Sequence, residues 1–155
     1  MDDRTFRNAM GRFATGVTVI TTETKEDIHG MTANAFMSVS LDPKLITVSV
    51  DNRANMLDKI KESKQFAVNI LSDKQQDISM HFAGQMKKER DIEFGFVQGI
   101  PIIKEALVSV VCDLDTSYVV GDHTLFIGKV IDIKTTEGEP LTFYSGRYGI
   151  NSFVS

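Results

Sequence analysis

Cysteine is nearly absent. Cys112 stands alone among 155 residues. A disulfide framework needs pairs, and so does a thiolate zinc site, so neither is expected within one chain. A reducing, cytoplasmic setting is expected instead. No stretch approaches the roughly 18 uncharged apolar residues of a membrane span. The opening MDDRTFRNAM is charged where a secretory leader would be apolar. Basic residues are scattered and the net charge is −4, which speaks against a nucleic-acid partner. Repeats and low-complexity linkers are lacking. So are G-x-G-x-x-G, G-x-x-x-x-G-K-[ST], H-E-x-x-H and G-x-S-x-G. A Rossmann dehydrogenase, a P-loop enzyme, a zincin and an α/β-hydrolase all lose support. His29, His81 and His123 stand far apart, without a second ligand at metal spacing.

What is present suits one packed domain over residues 1–155, with 42% apolar content. Phe6, Ala9, Met10 and Phe13 recur at i, i+3, i+4 and i+7, which predicts a short helix broken at Gly16. VTVITT (Val17 to Thr22) is a β-branched run and predicts a strand. Glu23 to Asp27 is a turn. Strand character resumes at Ile28 and continues to Asp42-Pro43. LITVSV (Leu45 to Val50) and FAVNIL (Phe66 to Leu71) are further strands. Asn55 to Ser63 is a helix with Asn55 as its cap. Ser72 or Asp73 caps another through Ile78 and Phe82. A polar Lys- and Glu-rich loop follows. Leu107 to Val120 and Thr124 to Thr136 form a hairpin around GDH, and Leu141 to Tyr144 adds a short piece. Six or seven strands at close spacing point to a barrel or sandwich rather than repeated βαβ units.

The stretch GMTANAFMSVSLDP (Gly30 to Pro43) is unusual for a strand. It carries Ala, Ser, Thr and Asn where a core strand favours Val, Ile or aromatics. In an unbroken strand Thr32, Asn34, Phe36, Ser38 and Ser40 share a face. Two readings fit. One is a strand wetted on one side, common in antiparallel sheets. The other is a shallow surface on which a flat ligand reaches main-chain N–H and C=O groups.

Two further stretches bear on that choice. SVDNRAN (Ser49 to Asn55) is a strand running into a helix start, where unpaired N–H groups and a partial positive charge can seat a phosphate. Arg53, Ser49 and Asn55 complete such a seat, and Asp51 would contribute its backbone. An ordinary loop and cap is the alternative. In GDHTLFIG (Gly121 to Gly128), Gly-Asp is turn chemistry, and His123 either meets a ligand at the hairpin mouth or simply faces solvent.

Taken in order, FRNAMGRFATGVTVITT, GMTANAFMSVSLDP, FAVNIL, HFAG (His81 to Gly84) and GDHTLFIGKV resemble the flavin reductase-like family. Its members are small NAD(P)H:flavin oxidoreductases on an FMN-binding split barrel. The likeness spans nearly the whole chain and is strongest to reductase components of two-component aromatic hydroxylases, of the phenol and 4-hydroxyphenylacetate type. It implies a mainly β fold, a six-stranded antiparallel Greek-key split barrel with a few short helices. It implies FAD or FMN as cofactor, NADH as donor, a separate oxygenase as partner, and a homodimer with flavin sites near the subunit interface. Neither nucleic acid nor membrane is implied.

Residue by residue, the resemblance implies that the ring edge meets Thr32, Ala33, Asn34 and Ala35. Ser38, Val39 and Ser40 flank the ribityl and phosphate region. Ser49, Val50, Asp51, Arg53 and Asn55 match the phosphate loop. Phe82, Ala83 and Gly84 match the segment meeting the outer part of the flavin. His123 matches a histidine near the nicotinamide, and Tyr148 an aromatic covering the site. No metal and no acid–base residue is implied. The Lys87 to Ile92 loop has no clear counterpart. Hydride transfer then needs position more than proton chemistry: a donor carbon held about 3–3.5 Å from its acceptor, with the cofactor supplying the redox step. The rival expectations are a non-catalytic flavin-binding or electron-transfer module on the same barrel, and a barrel for another planar ligand.

Overall fold

The computed structural model describes residues 1–85 and 91–150; most of the Lys87 to Ile92 loop lies outside them. The described chain is mainly β, with three helices among twelve strands. The helices are α1 (Asp3–Met10), α2 (Asn55–Ser63) and α3 (Gln76–Phe82). The strands are β1 (Thr15–Gly16), β2 (Thr18–Glu23), β3 (Ile28–Ala33), β4 (Phe36–Leu41), β5 (Lys44–Asp51), β6 (Gln65–Ile70), β7 (Phe94–Val97), β8 (Ile100–Ile103), β9 (Val108–Val120), β10 (His123–Thr135), β11 (Leu141–Tyr144) and β12 (Arg147–Ile150). The principal sheet is antiparallel and has seven strands rather than six, in the order β3-β2-β6-β9-β10-β5-β4. β1, β11 and β12 form a second sheet, and β7 pairs with β8.

The predicted strand from Ile28 to Asp42 is two strands. β3 pairs with β2 and β4 with β5, which puts them on opposite edges of the principal sheet. Only Asn34 and Ala35 join them. In a flat sheet those edges would lie roughly 29 Å apart, six strand spacings of about 4.8 Å. Three Cα steps reach at most about 11 Å. The sheet must therefore curl until its edges meet, and β3 does touch β5. Curling encloses Ile20, Val48, Phe66, Val68 and Phe126, all fully buried, with Met56 and Ile60 of α2 in the same cluster.

Several buried polar side chains of the sheet are hydrogen-bonded, whereas Thr47 Oγ1 on β5 has no partner among the described residues. Thr21 donates to the Pro101 carbonyl at 2.6 Å and Thr22 to the Gln65 carbonyl at 2.6 Å. Asn69 is fully buried. It donates to the Val19 carbonyl and Thr21, and accepts from the Ile103 N–H and the Ser109 hydroxyl. One amide thus pins β8 against the principal sheet.

Several element ends differ from the expected ones. α1 stops at Gly11, whose N–H closes on the Arg7 carbonyl at 2.9 Å. Phe13 therefore lies beyond the helix rather than on its face. α1 buries none of its residues. Phe6 and Met10 are more than half exposed. Asn55 is the first helical residue of α2 and not its cap; the cap is Ala54, which offers no side-chain bond. Gln75, not Ser72 or Asp73, precedes α3. Its amide oxygen instead accepts the Ser72 N–H at 3.0 Å.

At Gly128, β10 crosses so close to the core that a Cβ would stand 2.7 Å from the Phe66 ring and 2.9 Å from Cys112 Cβ. Phe66 and Cys112 are fully buried and cannot swing out. Gly128→Ala should cost about 1–3 kcal/mol, the usual penalty for overpacking. Urea denaturation checks this, and an unshifted midpoint contradicts it.

Candidate active site

The link between β3 and β4 lies at the surface of the curled sheet. Asn34 and Ala35 are exposed and lie outside both ladders. The Asn34 carbonyl accepts the Phe36 N–H, and the Ala35 carbonyl accepts the Ser49 N–H, both at 3.0 Å. Ala35 is thereby fixed to β5. Beyond it, β4 carries a bulge: Ser38 faces Ile46, Ser40 faces Leu45, and Val39 is the extra residue. A bulge reverses which side chains share a face. With the break at 34–35, it means that Thr32, Asn34, Phe36, Ser38 and Ser40 do not form the single face expected of an unbroken strand.

The next strand brings two distant stretches together. β5 pairs with β10 so that Asp51 stands opposite His123 and Ser49 opposite Leu125. The Asn52 N–H reaches the Asp122 carbonyl at 2.9 Å. Thr124 donates to the Asn52 side-chain oxygen at 2.6 Å. The loop before α2 and the mouth of the β9–β10 hairpin are therefore one unit. Val50 points into the core and is fully buried, so only its main chain can meet a ligand.

Charge in this unit is arranged in two pairs. Arg53 closes on Asp51, with Nη2 2.9 Å from Oδ2 and Nε 3.2 Å from Oδ1, while its own N–H reaches Oδ1 at 2.8 Å. These bonds hold the Asp51 carboxyl down from 3.8 to about 2, the side-chain bond contributing most. His123 Nδ1 lies 2.7 Å from Asp122 Oδ1. A carboxylate only accepts, so Nδ1 carries the proton and Nε2 of a neutral ring is an acceptor. The hydrogen bond from His123 is the chief cause that lowers the Asp122 pKa.

A second group assembles around α3. A Cβ on Gly30 would stand 2.5 Å from the Phe82 ring. That residue is small because a helix side chain lies on it. Thr32 turns to the same helix and donates to the Ser79 carbonyl at 2.6 Å. Ser79 Oγ lies 2.8 Å from the Tyr148 hydroxyl, and the Tyr148 ring meets Phe143 edge-on at 5.2 Å. Ala83 and Gly84 follow, both exposed. The site residues thus fall into two groups, Ala35 to Asn55 with His123, and Thr32 with Phe82 to Gly84 and Tyr148. Ala33 and Asn34 run between them.

A cleft of about 340 Å³ lies where α2 begins beside β3, lined by His29, Gly30, Met31, Ala54, Asn55, Met56 and Lys59. No side chain caps the first turn of α2, so the donor set there suits an anionic group. Lys59 and His29 were not anticipated. Lys59 was findable, since it lies four residues after Asn55 on one helix face. A larger cleft of about 730 Å³ contains none of the expected site residues. Asp73, Asp91, Glu93, Glu105, Glu137 and Glu139 line it against Lys74 and Lys104. That excess of carboxylates repels a phosphate, so size does not decide the site.

Comparison with known proteins bears on this arrangement. Residues 10–152 match the model of the flavin reductase like domain. The chain is 44% identical over 145 residues to an NADH-dependent flavin reductase of a Rhodococcus species, covering 92% of this chain and 82% of that one. It is 38% identical over 144 residues to the reductase component of 4-hydroxyphenylacetate 3-monooxygenase of Thermus thermophilus, covering 92% and 93%. The solved structure of the flavin reductase PheA2 in its native state superposes with a TM-score of 0.97 at 58% identity, covering 99% of this chain and 100% of that one.

The Asp51–Arg53 pair makes a pH prediction. A depressed carboxyl favours the folded state above its ordinary 3.8 and loses that contribution as pH falls through about 2. Carboxyl NMR should place the Asp51 midpoint near 2, and Arg53→Ala should return it toward 3.8. A midpoint near 3.8 in the unsubstituted protein contradicts the pairing.

Proposed function

The chain belongs to the flavin reductase-like domain family, and from that premise we propose that it is an NADH-dependent flavin reductase. It takes hydride from NADH to FAD or FMN and supplies reduced flavin to a separate flavin-dependent monooxygenase. The observation that carries this reading is the exposed Asn34–Ala35 link. It stands next to a helix start that no side chain caps and a hairpin mouth that carries His123.

Bound flavin supplies the hydride acceptor. The chain's own residues supply position and electrostatics. Main-chain groups at Ala33, Asn34 and Ala35 would meet the ring edge, where N–H donors would favour the negative charge of the reduced form. Small side chains there keep the approach open. Ser38, Val39 and Ser40 on the β4 bulge flank the ribityl chain. The first turn of α2, with Ser49 and Asn55, takes the phosphate. Arg53 reaches it by leaving Asp51, and Val50 and Asp51 contribute main chain. Phe82, Ala83 and Gly84 border the outer part of the cofactor. His123, its Nδ1–H committed to Asp122, offers Nε2 to the nicotinamide carboxamide. Tyr148 covers the site. No residue is assigned a proton-transfer role.

The same reading includes a Greek-key split barrel, one domain over residues 1–155, and a cytoplasmic setting in which the nicotinamide donor is supplied. No helix among the described residues is long and apolar enough to cross a membrane. It also includes a homodimer with the flavin sites near the subunit interface. Support comes from exposed apolar side chains, Phe6 and Met10 on α1 and Met37 and Leu41 on β4, of the kind that mark a buried contact in an assembly.

Loss of NADH absorbance on adding FAD, FMN or riboflavin tests the activity. Flavin binding without NADH turnover would favour a non-catalytic flavin module. His123→Ala should raise the NADH KM about three- to tenfold, the range of one lost hydrogen bond, with flavin affinity by fluorescence titration nearly intact. A collapse of flavin affinity with an unmoved KM contradicts the assigned role.

A further inference from the structure

Ser79 is a fully buried polar residue on α3, and none of the stretches assigned above contains it. Its two polar ends connect parts of the site that are far apart in sequence. The carbonyl accepts both the Thr32 hydroxyl at 2.6 Å and the Ala83 N–H at 3.0 Å. The serine is thereby fixed to β3 and to the segment after α3. Its hydroxyl pairs with the Tyr148 phenol at 2.8 Å.

Tyr148 itself is only half-buried. It sits on β12, a strand of four residues at the edge of its sheet. Phe143 stands opposite it in the β11–β12 register and touches the ring edge-on. A Phe at this position would keep that ring contact. What the phenol adds is a bond inward to Ser79, which fixes where the ring points relative to Thr32 and Ala83.

We propose that Ser79 is a positioning residue for Tyr148, holding its ring over the site so that a nicotinamide donor is bound against the flavin. This rests on the flavin reductase reading above. Burial gives the bond its weight. A buried hydroxyl left without its partner is penalised, whereas an exposed one turns to water.

Three variants test it: Ser79→Ala, Tyr148→Phe and the two combined. The readouts are NADH KM and kcat, and NAD⁺ affinity by calorimetry on the flavin-saturated protein. Ser79→Ala should raise the NADH KM and weaken NAD⁺ binding by about three- to tenfold, with kcat and flavin affinity moving less than about twofold. Tyr148→Phe should match it. The double variant should be no worse than either single one, because both remove the same bond. Ser79→Thr, which keeps the hydroxyl, should recover most of the loss. A lowered melting temperature with unchanged NAD⁺ affinity would assign Ser79 a purely structural role and overturn the proposal. Additive losses in the double variant would do the same. If the unsubstituted protein neither binds NAD⁺ nor oxidises NADH with flavin, the flavin reductase reading fails first and takes this inference with it. If it does both and Ser79→Ala changes neither, this inference alone fails.

Discussion

Two residues, Asn34 and Ala35, join strands on opposite edges of a seven-stranded sheet. So short a link allows only a curled sheet, and curling has two consequences. It encloses the core around Val48, Phe66 and Phe126. It also leaves a place where the chain has left one ladder and not yet entered the next. Large branched side chains would crowd that crossing. Asn and Ala leave it open, and the Ala35 carbonyl ties it to Ser49 on the neighbouring strand.

Everything assigned to the site hangs from that crossing. β5 carries the chain to the start of α2, and its pairing with β10 sets His123 opposite Asp51. β3, on the other side, carries Gly30 and Thr32 against α3, and through Ser79 to Tyr148. Electrostatics then favours this end of the molecule for an anionic cofactor. The helix start offers N–H groups with no side-chain cap, while the larger cleft presents six carboxylates. Arg53 is held by Asp51, so a phosphate must compete for it. On the proposed reading, that competition would make Arg53 an adjustable contact rather than a fixed one.

Much of this was legible in the sequence. β-branched runs at Val17 to Thr22 and Leu45 to Val50 declared their strands, and Gly-Asp declared the long hairpin. The break at Asn34–Ala35 was not, because small polar residues suit a strand edge and a crossing equally well. Two hairpins escaped because their strands have only four residues each. Their turns, Gln98-Gly99 and Ser145-Gly146, hold all four residues at positive φ and were the available signal. The helix caps were misplaced because Asn55 and Ser72 have the right chemistry, and only geometry shows that they are not used. The contacts of Gly30 and Thr32 with α3 were not legible either: Phe82 lies on Gly30, and the Thr32 hydroxyl donates to the Ser79 carbonyl. Ser79 gave no sign, since a serine in a short helix reads as a wetted position.

The most direct test is the structure of the protein with FAD bound. The account predicts the edge of the tricyclic ring within hydrogen-bond distance of main-chain atoms at Asn34 and Ala35, and a phosphate at the first turn of α2. A ring lying in the carboxylate-lined cleft beside Glu137 and Glu139, with the crossing still facing water, would contradict it.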